Sequence, residues 1–279
     1  VSAGGRSGFC RRASRLRTRF VMTAMIPGKA RSALLPPLCL LMLLQAPAMG
    51  WAACDDPPGR RVNWLHCDKQ GVDLQGADLR EAVLTQVNLS GVDLSGARLS
   101  GADLGRAILN QANFTGAELR GTRLVSAQLD QAVFTEARMS GARLDRAVLT
   151  GADLRKADLS NARLHKAVLT GADLSDAKLN RANFAQADLT DAKLVNTDLS
   201  DAVLSRAVLE DAVLTGANLR GARLDGATLL GVDFTGADLS QATLAEALID
   251  GALFTDAQLD STIWINRQRC RPGSVGTCR

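Results

Sequence analysis

The sequence predicts an all-β solenoid whose chain turns a corner after every five residues. Three observations carry this expectation. From Val72 to Trp264 the chain keeps a period of five without an insertion, through 39 consecutive units such as GADLR, EAVLT and GARLS. One position of the unit is Ala in 32 of the 39 and otherwise Val or Thr, and the position two later is Leu in 31 and otherwise Phe, Met, Ile or Trp. The positions between these pairs hold Gly, Ser, Thr, Asp, Asn and other polar residues, which tolerate turn geometry.

Helices and flat strands both fail to bury such a pattern. A helix advances about 100° per residue, so a five-residue step turns each Leu by about 140° and spreads the apolar positions around the cylinder. On a continuous strand an odd period sends successive Leu side chains to opposite faces. An extended stretch of three residues, with Ala and Leu inward and the residue between them outward, followed by a corner, keeps one dry side. Repeated, it sends the chain around a closed path that must rise, with coils stacked at about the 4.8 Å spacing of neighbouring strands.

Residues 1–53 read as a leader. The run Ala33 to Leu44 is apolar, follows Lys29 and Arg31, and precedes small residues; it is too short, and too interrupted by Pro36 and Pro37, to span a bilayer. This is the layout of a secretory signal peptide, with cleavage expected near residues 48–53, so the chain is expected in the periplasm or outside the cell. Cys54, after Trp51-Ala52-Ala53, loosely resembles a lipidation site, although Trp51 stands where such sites favour Leu.

The leader also distorts the charge. The whole chain carries 33 basic and 29 acidic residues, but the first 53 hold eight of the basic ones and no acid. The rest therefore has 33 − 8 = 25 basic against 29 acidic residues, a net −4. That balance gives no support for nucleic-acid binding. With aromatic content of 4%, no Tyr and two His, a core built on aromatic rings is also excluded.

Residues 54–71 are expected to cap the N-terminal end of the solenoid, residues 72–264 to form it, and residues 265–279 to cap the C-terminal end. An open solenoid exposes its interior and unpaired backbone at both ends unless something covers them. The Cys54 to Cys67 segment contains Trp64, and Trp264 precedes a second loop from Cys270 to Cys278. Four cysteines remain after the leader, an even number for an oxidising compartment. Short loops beyond the rigid repeat need stapling, so the expected disulfides are Cys54 with Cys67 and Cys270 with Cys278.

The motif A(D/N)LXX, as in GADLS at 236–240 and GANLR at 216–220, resembles the pentapeptide-repeat family. The resemblance implies a right-handed quadrilateral parallel β-helix with four units per coil, hence nearly ten coils and a length of about 45 Å. Independently, the outward residues Asp78, Arg98, Glu118, Arg138, Asp158, Lys178 and Asp198 alternate in sign at steps of twenty. A twenty-residue coil would stack these opposite charges on one side.

Catalytic chemistry has no foothold in the sequence. His66 and His165 are some hundred residues apart, and His66 beside Cys67 lacks the Cys-x-x-Cys or His-x-x-x-His spacing of a zinc site. Outward Asp residues are spread over all sides and read as solvation of a β surface. Glycines fall mostly in the corner phase, and no phosphate-binding loop is present. The chain is therefore expected to be no enzyme and to use no cofactor or metal.

Two readings of function follow. The first is a structural or protein-binding scaffold in the cell envelope, with an unknown protein partner, no nucleic acid, no membrane span and an open choice of monomer or homodimer. Its candidate interaction face is an aliphatic stripe of Ile108, Val148, Val168, Val208 and Leu248. The second comes from the family resemblance, since some members protect type II topoisomerases by mimicking a DNA duplex. Against it stand the leader, the weak net charge, and Arg123, Arg143 and Arg163 stacked on one side.

Overall fold

The structure, a computed structural model, describes residues 54–279; the expected leader and its cleavage sites lie outside them. The described residues form a column of stacked coils with four sides. Every parallel bridge joins a residue to the one twenty positions later, as in Asp78 to Arg98 or Val148 to Val168, so one coil is four pentapeptides. The order around a coil is the Arg123 side, the Gln128 side that also carries Val148, the Val133 side that also carries Asp153, and the Arg138 side.

Each side is three residues long, and only its middle residue bridges the next coil. The backbone of one unit shows how this satisfies the chain. Leu104 N–H donates to the Arg123 carbonyl at 2.7 Å, Asp103 N–H donates back to the Ala82 carbonyl at 2.9 Å, and Arg106 N–H donates forward to Val125 at 2.9 Å. Ala107 N–H closes the corner onto the Leu104 carbonyl at 3.1 Å. Three of the five N–H groups of the unit are thus spent along the axis and a fourth on the corner, which leaves the interior to hydrocarbon. The second corner residue takes a left-handed conformation, with φ of 59° at Gln111 and 72° at Gly101.

Inside, Ala and Leu alternate in fully buried ladders, interrupted by stacked rings at Phe114 and Phe134 and at Phe234 and Phe254. Three threonines replace Ala. Thr122, Thr197 and Thr262 are buried and donate their hydroxyls to the carbonyls of Leu99, Leu174 and Leu239 at 2.9, 3.2 and 2.7 Å. Their isosteric fit to Val therefore leaves no unsatisfied hydroxyl.

The column starts earlier than the sequence repeat. Asn63 bridges Val83 and Asp68 bridges Asn88, so residues assigned to the N-terminal cap already form two sides of the first coil. Buried Val62 and Cys67 take the Ala positions, and buried Trp64 takes a Leu position. Lys69 stands in the next Leu position, at the very end of its ladder, where its ammonium lies 4.3 Å from the centroid of the Trp64 ring. Trp64 itself donates its indole N–H to the Asp56 carbonyl at 3.1 Å. Cap and coil are one unit here because the end of a column has no neighbour to demand Leu.

Both disulfides are formed, Cys54 with Cys67 and Cys270 with Cys278. The first uses the Cys54 sulfur that a lipid anchor would need, which removes that expectation. The C-terminal segment folds back antiparallel, pairing Val275 with Gln258 and Arg269 with Ile263. It covers two of the four sides. On the other two, Leu248 and Leu253 remain 56% and 53% exposed. Among the described residues no helix is long and apolar enough to cross a membrane.

Candidate functional site

The five aliphatic residues singled out in the sequence do share one side. Asn88, Ile108, Gln128, Val148, Val168, Asp188, Val208, Thr228 and Leu248 follow one another through consecutive bridges. The stripe is broken by Gln128, Asp188 and Thr228, so Val148 and Val168 are its only directly adjacent pair. Ile108, Val148, Val168 and Val208 are half-buried between their column neighbours, while Leu248 is exposed at the end. Asp188 turns away from the stripe, its Oδ1 accepting the Thr190 N–H at 3.0 Å and the Thr190 hydroxyl at 2.7 Å.

That hydrogen bond is general, and the sequence reading missed it. Asp93, Asn113, Asp173, Asp198 and Asp233 each accept the backbone N–H two residues later, at 2.9 to 3.1 Å. This N–H, at the first corner residue, has no partner along the axis, so Asp and Asn supply one as Asx turns do. The outward acids therefore build corners as well as solvating the surface. The recurring D/N two residues before a polar corner residue was the signal available for this.

The alternating column of Asp78 to Asp198 is also present as expected, and two of its neighbouring pairs close to 3.2 Å, Arg98 with Asp78 and Arg138 with Glu118. The Arg123 side behaves differently. Arg123, Arg143 and Arg163 lie directly above one another. Arg123 is held by Asp103 at 2.8 Å and Arg163 by Asp145 at 3.4 Å, but Arg143 has no ion-pair partner among the described residues. His66 occupies a left-handed corner with φ of 60°. Its neighbour Cys67 is spent in a disulfide. Among the described residues no cluster of His, Cys, Asp or Glu could hold a metal ion.

Comparison with known proteins fits this geometry. The model of the family described as pentapeptide repeats matches in eight copies, over overlapping stretches from residue 70 to residue 241. The chain belongs to the pentapeptide-repeat family. The four-sided column is thus the family's right-handed quadrilateral β-helix. Among solved structures, this pentapeptide-repeat protein is similar to HetL, a member involved in heterocyst differentiation regulation in the cyanobacterium Nostoc sp.. The two are 33% identical with a TM-score of 0.50, over 76% of this chain and 94% of HetL. It also matches QnrB1, a plasmid-mediated fluoroquinolone resistance protein, at 23% identity and a TM-score of 0.41, over 58% of this chain and 89% of the other. A third match is a pentapeptide-repeat protein of the Arabidopsis thaliana thylakoid lumen, 30% identical with a TM-score of 0.28, over 35% and 64% of the two chains. Comparison with curated protein sequences gave no significant match.

Proposed function

We propose that this pentapeptide-repeat protein is an exported, non-catalytic scaffold that binds another protein through the side carrying Val148 and Val168. The observation that carries the reading is that pair, two β-branched residues adjacent on a flat, regular surface and continued by Ile108, Val208 and Leu248. A rigid side with aliphatic groups at a fixed spacing offers area to a partner without an ordering cost. Export is supported by the apolar run after Lys29 and Arg31 and by two disulfides, which persist in oxidising compartments. The double substitution Val148→Asp and Val168→Asp should abolish self-association in sedimentation, or capture of a partner from envelope extract, with the fold intact by circular dichroism. Sedimentation and capture identical to wild type would remove the proposal.

Duplex mimicry toward a type II topoisomerase is the competing reading. It needs a surface dominated by acid, whereas Arg123, Arg143 and Arg163 stack on one side and the Asp78 column alternates in sign. A gyrase supercoiling assay with the purified protein separates the two readings.

A further inference from the structure

Gly105 stands apart from the other glycines of the repeat. From Gly71 to Gly251 those all sit at the left-handed corner position, with φ between 62° and 75°. Gly105 occupies the preceding corner position, where neighbouring coils carry Thr85 and Val125, and its φ is not in the left-handed region. Its backbone would accept any side chain. Its neighbour would have to move, since a Cβ at Gly105 would come within 2.7 Å of Arg123 Nη1 and 3.1 Å of Asp103 Oδ1. The missing side chain lets the Arg123 guanidinium lie across this corner.

Beside that corner is a cavity of about 340 Å³, to which Thr85, Arg106, Arg123, Ser126 and Arg146 contribute polar groups. A second cavity of about 240 Å³ shares Val125 and Arg146 with the first and continues along Arg143 and Arg163, with Asp145 and His165. Together the two bring five guanidinium groups against the carboxylates of Asp103 and Asp145, a net of 5 − 2 = +3. The guanidinium groups of Arg106, Arg143 and Arg146 have no ion-pair partner among the described residues. Like charges stacked directly opposite in a β ladder repel. The concentration is therefore a cost to the fold unless an anion sits there.

We propose that this groove binds a phosphate or sulfate group, with Arg106, Arg123 and Arg146 as its charged donors and Thr85 and Ser126 as hydroxyl donors. The donors come from four successive coils along the groove. That suits a tetrahedral oxyanion, which accepts on three or four oxygens, better than a planar carboxylate, which a single guanidinium fork satisfies. Gly105 is the positioning element, because it sets where the Arg123 guanidinium rests. The proposal is independent of the partner surface at Val148.

The test is calorimetric or NMR titration of the purified protein, at low ionic strength, with inorganic phosphate, sulfate and O-phosphoserine. Saturable binding at about 1 mM or tighter is expected. Arg146→Ala should weaken it about tenfold, the loss expected for one charge-assisted hydrogen bond. Gly105→Ser should weaken it comparably while leaving the melting transition unchanged, and Arg220→Ala, on a remote corner, should have no effect. Tighter binding of phosphoserine than of inorganic phosphate identifies an ester-linked group as the ligand; equal or weaker binding identifies the free ion. Absence of saturable binding by all three probes, or binding unchanged in both Arg146→Ala and Gly105→Ser, overturns the site.

Discussion

The rings of Phe114 and Phe134 stack one coil apart, with centroids 4.7 Å from each other and planes within 2° of parallel. The spacing is that of neighbouring strands, so the column's own rise sets the ring separation. Phe134→Ala removes both the stack and the volume, and should cost about 3 to 5 kcal/mol. Phe134→Leu restores the residue that most units place there and should cost less than about 1.5 kcal/mol. Urea unfolding of the two variants beside wild type reads the difference.

The two staples should matter chiefly by restricting the unfolded chain. With separations of 13 and 8 residues, Cys54–Cys67 and Cys270–Cys278 close loops whose loss should cost about 3 and about 2.5 kcal/mol respectively in the chain-entropy account. Peptide mapping under non-reducing conditions should recover both pairs covalently joined. Denaturation midpoints of Cys67→Ser and Cys278→Ser report the two energies separately.

Asp78 should titrate unusually low. The Arg80 guanidinium, donating at 2.7 and 2.6 Å, is the main cause that lowers its carboxyl from 3.8 to about 2; desolvation opposes this, and the Arg80 backbone N–H with the charges of Arg80 and Arg98 adds to it. A carboxyl held below its ordinary value stabilises the fold at pH above that value. The contribution is lost as pH falls from about 3.8 through about 2. An NMR titration of the Asp78 carboxyl should show a midpoint near 2, and Arg80→Ala should return it toward the ordinary range.

Gly236 isolates the conformational demand of a corner. Its φ is 68°, and a Cβ there would meet nothing within 4 Å. Gly236→Ala should nevertheless destabilise by about 1 to 2 kcal/mol, because an L-residue resists the left-handed region. A melting temperature equal to wild type would show that the corner carries no such demand.

The coil and its core were legible in the sequence because burial imposes the same choice at each of 39 units, Ala at one position and Leu two later. The start of the column was not, since Cys67 and Trp64 fill the inward positions of the first coil and Lys69 needs only half a ladder around it. The corner role of Asp93 and its equivalents was hidden for another reason. An outward acid satisfies two demands at once, water and the Ser95 N–H, and composition reports only the first. The placement of Ile108, Val148, Val168, Val208 and Leu248 on one side could be deduced once twenty residues made a coil. That Gly105 opens space for Arg123 could not, because the reason lies one full coil later in the chain.

The twenty-residue closure has a consequence for how such a protein can change length. Gain or loss of four whole units leaves every downstream side chain on the side it already occupied. Duplication of one unit near residue 140 would instead carry all that follows a quarter-turn around the column: Arg143 would stack on Gln128, and Val148 on Val133. The interior would accept this readily, since most units present Ala and Leu inward. The outer surface would be re-dealt at a stroke, so a single small genetic event could exchange one binding surface for another in a protein whose core changes little.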